Sequence, residues 1–345
     1  MWNGFITVIS TVIVFGVLIF IHEFGHFITA RLCGVGIKEF AIGMGPRLFG
    51  WRSKKYGTEY GVRALPIGGF VSMVGEDEAS DDESAFCNKP IWKRIAIVLA
   101  GPAMNLLLGF LLMTVIVFSQ GALASTTIAA FDEGATSSQH LQVGDKIVAI
   151  NRVPVFTGND AAYEIMNQGY KPIDITVKRD GQKITVEDIS FTSFEESGVT
   201  FGNYDFKFLA EEKNAPNLIK HSLCRSVSTV KMIVDSIASL VTGRYGLEAV
   251  SGPVGVAEVV GDAVKSGIVS FLYIVTVLSI NLGVFNLIPF PALDGGRFLF
   301  LIIEAIRRKP IKKEVEGYIN FIGISILFIF MIFIMGKDII GLIRR

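Results

Sequence analysis

His22-Glu23-Phe24-Gly25-His26 is the segment of this chain best suited to chemistry. On a helix, H-E-x-x-H sets two imidazoles on one face, one turn apart, where they can grip a zinc ion. The glutamate between them is placed to take a proton from an attacking water. The chain has only four histidines, and two of them are here. The surroundings add weight. No charged residue lies between Phe5 and Ile21, and after Glu23 the next is Arg31. A helix over residues 5–30 would be roughly 39 Å long at about 1.5 Å per residue, enough to cross a hydrocarbon core of about 30 Å. Ionisable groups are costly in such a segment and usually mark function. A polar cluster that only joined helices would favour Asn, Ser or Thr.

A second constellation lies near the other end, from Asn281 through Asn286, Pro289, Pro291 and Asp294 to Gly296. Its prolines and glycines exclude a regular helix. Irregular backbone at membrane depth is tolerated only where it is buried in protein or lines a wet cavity. Asp294 reads either as a third zinc ligand or as a turn residue at the membrane exit. As a ligand it would complete a His, His, carboxylate set with a fourth position open to water; as a turn it would be an ordinary Asp-Gly.

Four apolar segments reach membrane-spanning length, at about 5–30, 95–118, 268–293 and 319–336. Ten Lys or Arg residues fall from Arg31 to Arg94, and a second basic group runs from Arg297 to Lys313. The positive-inside rule puts both connections in the cytoplasm and residues 119–266 outside. Lys337, Arg344 and Arg345 argue against this more weakly than the first loop argues for it. His22 then sits about 26 Å into the first span, in its cytoplasmic half. Gly101-Pro-Ala-Met-Asn105 comes early in the outward second span, and Asn286 and Asp294 come late in the inward third. These polar or broken positions converge on one depth.

The remaining segments are less apolar. Residues 36–75 hold three runs of β-formers, 37–43, 58–65 and 68–74, read as hairpins dipping toward the membrane or as a small cytoplasmic sheet. The acidic stretch 76–83 reads as a solvated loop. Residues ~121–206 alternate short strands and turns around a helical stretch at 160–168, which suits a small β-rich domain of the PDZ type. Residues ~215–243 read as an amphipathic helix lying on the membrane or against that domain. Ser251-Gly-Pro-Val-Gly255 reads as a turn before the third span. The fold class expected is a polytopic α-helical membrane protein with four transmembrane helices, a membrane-associated β-loop and an inserted PDZ-like domain. Its parts are 1–118, with the β-loop at 36–75; 119–210, PDZ-like; 211–266, amphipathic helix and connector; and 267–345.

Composition agrees. Of 345 residues 51% are hydrophobic, a membrane-protein profile with room for a soluble domain. Net charge is zero, so no nucleic-acid partner is suggested. The three cysteines are scattered and imply neither a disulfide framework nor a cysteine zinc site. No basic n-region precedes the first apolar run and no small-residue cleavage site follows it, so an uncleaved first span is expected.

Taken together, the motifs resemble the site-2 protease family of zinc intramembrane metalloproteases. The likeness is nearest to the bacterial RseP-like branch, which cuts anti-sigma factors and remnant signal peptides. H-E-F-G-H at 22–26, G-P-A-M-N at 101–105, N-L-I-P from Asn286 and L-D-G-G at 293–296 stand in family order. The resemblance implies Zn2+ held by His22, His26 and Asp294, Glu23 as catalytic base, and substrate contacts from Asn286 and Asn105. It also implies that residues 36–75 form a membrane-reentrant β-loop that presents substrate. The expected partners are single-span membrane proteins within the lipid bilayer, with an upstream site-1 protease cutting the same substrate. The expected location is a bacterial inner membrane, multi-pass, with the active site toward the cytoplasm and the PDZ-like domain outside. Some members carry two PDZ domains, whereas this length fits one. Three rivals remain: a membrane-anchored zinc protease of soluble proteins, an intramembrane metal or ion transporter, and a catalytically idle scaffold, against which the intact Glu23 argues. The first would need its motif beyond the bilayer; the second would more usually show internal repeats.

Overall fold

The computed structural model describes residues 2–76, 78, 80–196 and 198–344. Asp77 and Ala79 of the acidic stretch and Arg345 of the terminal basic group lie outside the described residues. The chain forms two compact units. One joins the residues up to Gly109 with those from Ser251 onward; the other is Phe110–Val250. The expected connector 211–266 is therefore divided between them.

Among the described residues, four helices are long and apolar enough to cross a membrane: Gly4–Leu32, Ile91–Ser119, Ile268–Leu287 and Lys313–Gly341; the second of them runs past the unit boundary at Gly109. They belong to α1 (Trp2–Leu32), α2 (Ile91–Ser119), α6 (Ile268–Leu287) and α8 (Lys313–Arg344). A helix satisfies every backbone polar group within itself, which lipid demands. The third span ends at Leu287, short of the expected 293, because Pro289 and Pro291 deny the next turn its donors. Pro102 does not break α2, which runs through it without interruption. The fourth helix begins six residues before the expected 319 and carries its acidic residues Glu314 and Glu316 in its first turn. That position favours negative charge.

Close helix contacts rest on glycine. A Cβ on Gly283 of α6 would lie 2.9 Å from Leu106 Cγ and 3.0 Å from the Pro102 carbonyl, and Gly109 meets Ile280 in the same way. Val14 and Leu18 of α1 pack with Val260 on α5 (Pro253–Ser266). The 251–255 turn is thus only the lead-in to an unexpected helix, with Pro253 in its first turn.

Residues 36–75 form two long strands, β1 (Ile37–Arg52) and β2 (Glu59–Met73). Each pairs twice. Residues 39–42 pair with 59–62 on one side and with 69–72 on the other, while 47–52 pair with 59–63. The result is a four-segment sheet in which 47–52 is a strand the sequence pattern did not suggest. Gly43 and Gly45, both at positive φ, turn the chain between its halves. The 37–42 end packs its apolar face on Phe27, Ile97 and Val98.

The second unit has a sheet in the order β10-β3-β4-β6-β7, with the short β5 (Val153–Pro154) on β4. Here β3 is Leu123–Phe131, β4 Lys146–Ile150, β6 Ile173–Arg179, β7 Gln182–Ile189 and β10 Phe206–Glu211. The helix α3 (Gly158–Gln168) starts at a capping box between Thr157 and Asp160. A separate hairpin joins β8 (Thr192–Glu196) and β9 (Val199–Asn203). Ile128, Ile147, Ile150, Ile165, Ile175 and Val177 form the core. α4 (Ala215–Val241) belongs to this unit and touches α3 through Tyr163–Asp235 and Lys231–Glu164.

Candidate metal centre

Two glycines let the helices that carry the site approach. A Cβ on Gly25 of α1 would strike the Ala100 carbonyl of α2, and one on Gly101 of α2 would strike the His26 ring and lie 2.9 Å from His22 Cε1. α1 thus presents both imidazoles to α2 at backbone range. Asp294 arrives from a third direction. It is the first residue of α7 (Asp294–Arg307), after a six-residue break from α6. Gly295 and Gly296 press against the carbonyls of Ile288 and Phe290, so the break folds tightly and aims the carboxylate inward. Ala292 takes a left-handed backbone there, with its N–H donated to Asn320 Oδ1 of α8 at 3.1 Å.

His22 Nε2 lies 3.0 Å from Asp294 Oδ2 and His26 Nε2 lies 3.4 Å from it. The two Nε2 atoms are 3.2 Å apart. Ligands about 2.0–2.1 Å from a tetrahedral zinc stand about 3.3 Å from one another, so these separations fit the ion. The donor chemistry fits as well. His26 Nδ1 is 2.8 Å from the Ile97 carbonyl, which can only accept, so the ring proton of a neutral imidazole sits on Nδ1. Its Nε2 then turns a lone pair toward a buried carboxylate oxygen, an arrangement that a metal cation between them would satisfy. Among the described residues, His22, His26 and Asp294 are the group of potential metal ligands that converges, their donor atoms all within 4.8 Å of one another.

Glu23 and Asn286 line the same cavity of about 520 Å³ with the three ligands and Gly69–Met73 of β2. Gly69 fits because it has no side chain: a Cβ there would lie 3.0 Å from Glu23 Cγ. Asn286 donates to the Leu282 carbonyl at 3.0 Å, which parks its amide at the cavity wall. Asn105, expected beside the substrate, is placed elsewhere. It has no exposed surface and stands behind His22, its Nδ2 3.1 Å from His22 Nδ1.

Other residues at the site had no sequence signal or a misleading one. Glu76, read as part of a solvated loop, lines the cavity, pairs with Arg297 and accepts the Met73 N–H at 3.1 Å. The Ile97 carbonyl is backbone and leaves no mark on residue type. Outside the cavity, Arg94 and Glu304 form a two-bond ion pair between α2 and α7, the helix that Asp294 begins, at 3.0 and 2.6 Å.

The family pattern described as peptidase family M50 matches residues 10–330. A relative from Clostridium acetobutylicum, provisionally named a zinc metalloprotease, is 36% identical over 342 residues, spanning 98% of each chain. The regulator of sigma-W protease RasP of Bacillus subtilis is 30% identical over 416 residues, covering 96% of this chain and 98% of its own. The zinc metalloprotease RasP of Bacillus licheniformis matches at 30% over 418 residues with the same coverage.

Proposed function

Because the chain belongs to peptidase family M50, the site-2 proteases, and is a membrane zinc metalloprotease, we propose that it hydrolyses peptide bonds within the transmembrane segments of other membrane proteins. One observation carries this reading: the His22–Glu23–His26 turn stands inside a 29-residue helix apolar enough to cross a membrane, and Asp294 meets it from the break after another such helix. A protease of soluble proteins would hold its motif beyond the apolar span.

His22, His26 and Asp294 would hold zinc, which when bound supplies the Lewis acidity that polarises a peptide carbonyl and acidifies water. Glu23 takes the proton from the attacking water and later returns it to the leaving amine. The Asn286 amide, at the cavity wall, is suited to donate to the oxyanion that develops on the carbonyl. A helical substrate hides its carbonyls in i→i−4 bonds and must unwind first. Residues 69–73 pair with β1 on one side and line the cavity, so an unwound segment could add to them as a strand.

The substrates are single-span membrane proteins such as anti-sigma factors or remnant signal peptides, first trimmed by another protease; the sigma-W regulator among the relatives supports that class. The basic loops favour a site on the cytoplasmic side of a bacterial inner membrane, with residues 119–210, which we read as PDZ-like, outside. Cysteines introduced at Lys54 and Lys309 should resist an impermeant label applied from outside, and one at Lys183 should react. The reverse pattern would overturn the orientation.

The function is tested with Glu23→Gln, which keeps the side chain's size without its basicity. Mass spectrometry of small membrane fragments should show intramembrane cuts with the native chain, reduced about 10²–10⁴-fold in the variant, while zinc stays bound. Equal fragment yields from both would remove Glu23 from the mechanism.

A further inference from the structure

We infer that Asn105 is a positioning residue for the metal centre: its side-chain carbonyl accepts the His22 Nδ1 proton and so turns His22 Nε2 toward zinc. The inference rests on the metal-centre reading above. The two histidines are both backed by α2. His26 leans on the Ile97 carbonyl at 2.8 Å, and His22 on the Asn105 amide at 3.1 Å. Ile97, Gly101 and Asn105 are four residues apart, on one face of the helix. The middle member has no side chain, so the rings can rest on the helix; the outer two offer polar groups to the ring nitrogens that face away from Asp294.

The requirement is specific. A histidine that binds a metal through Nε2 keeps its proton on Nδ1, and a buried N–H needs an acceptor. For His26 the backbone carbonyl meets that need. For His22 the neighbouring group is the Asn105 amide, whose Oδ1 is buried with no hydrogen-bond partner while Nδ2 faces the ring. The two ends of an amide have nearly the same shape, so a half-turn about the Cβ–Cγ bond exchanges them within the same space. Zinc on Nε2 selects the orientation with Oδ1 on the Nδ1 proton.

The backbone around Asn105 is fixed independently of the amide. Its carbonyl accepts from Ser279 Oγ of α6 at 2.8 Å, and Asn105 is fully buried. A side chain so held can orient a ring without reorganising, and it leaves the cavity itself to substrate.

The test uses the full-length protein in detergent with three variants. Asn105→Leu keeps the volume and Asn105→Ala removes it; neither has an acceptor. Asn105→Asp keeps the oxygen. Zinc affinity is read by competition with a chromophoric chelator, and ligand geometry by the visible absorption of the cobalt(II)-substituted protein. Whichever of the Leu and Ala forms folds should bind zinc about 10–100-fold more weakly than the native chain, with altered cobalt bands. The Asp form should retain native affinity and bands. Native affinity in a folded Leu or Ala form, or an Asp form as weak as they are, would overturn the inference. A native chain without zinc would instead strike the metal-centre reading itself.

Discussion

The two units bury polar groups in different ways. In the Phe110–Val250 unit each buried carboxylate has donors that answer it. Asp205 takes Ser137 Oγ at 2.5 Å and Ser137 N at 3.1 Å. Asp160 closes the cap of α3, and Asp145 takes two hydrogen bonds from Arg179 at 2.7 Å and one from Gln142 N at 2.8 Å. These groups tie turns and helix ends to an aliphatic core. At the metal centre of the apolar unit, by contrast, three ligand-type side chains bring their polar atoms to one point. Two imidazole nitrogens and a carboxylate oxygen face one another within 3.4 Å. An unanswered polar atom costs more in apolar surroundings than at a turn near water. Satisfied burial holds a fold together; two imidazoles and a carboxylate brought to one point make a place for a cation.

That contrast can be broken experimentally. The largest effect is expected from Asp294→Ala, which removes one of three ligands. Metal analysis should fall from about one zinc per chain toward none, with proteolysis abolished and the exchange protection of the 110–250 unit unchanged. Full zinc in the folded variant would end the assignment of Asp294.

Asp145→Ala should do the opposite. Zinc should stay, while the 110–250 unit loses about 2 kcal/mol, the range for hydrogen bonds to a charged group, read by hydrogen exchange on its core strands. Its pH dependence sharpens the point. Burial pushes the Asp145 carboxyl up, but the Arg179 bonds and the Gln142 N–H outweigh it and hold it below the usual carboxylate range. The folded form therefore binds its proton less readily than the unfolded form. This contribution is fully present above the ordinary Asp value of about 3.9 and is lost as pH falls below it. Asp145→Ala should flatten that acid limb of the stability curve, and an unchanged limb would show that the pair contributes nothing there.

The smallest effect is expected from Thr157→Ala, which opens the α3 capping box. A loss of about 1 kcal/mol is expected, seen as faster exchange in the first turn of α3, with zinc and cleavage unaltered. A loss of zinc in this variant would break the contrast between the two kinds of burial.

Much of the architecture was legible from residue type and spacing. The apolar runs predict the four helices long and apolar enough to cross a membrane, and the strand–turn alternation from ~121 to 206 predicts a β-rich unit, because length and periodicity are local properties. The elements that differ are those where the chain's neighbours decide. The strand at 47–52 mixes glycine, aromatic and basic residues with no alternation, and becomes a strand because 59–63 lies alongside it. α5 was hidden by its glycines, one of which, Gly261, is where Thr7 of α1 packs. Glu76 sits in an acidic run, and its place on the cavity wall, its pairing with Arg297 and the Met73 N–H it accepts set it apart from that run.

The sequence by itself determined the chemistry available: two histidines and a glutamate one turn apart in an apolar helix, and an aspartate beyond two helix-breaking prolines. Those follow from covalent order and helical period, which act over a few residues. The tertiary structure alone decided that Asp294 Oδ2 comes within 3.4 Å of both imidazoles, that Gly69 clears room for Glu23, and that Asn105 stands behind His22. Those contacts join residues tens to hundreds of positions apart. They depend on how closely helix backbones approach at Gly25, Gly101 and Gly283, a matter of packing that no local pattern encodes.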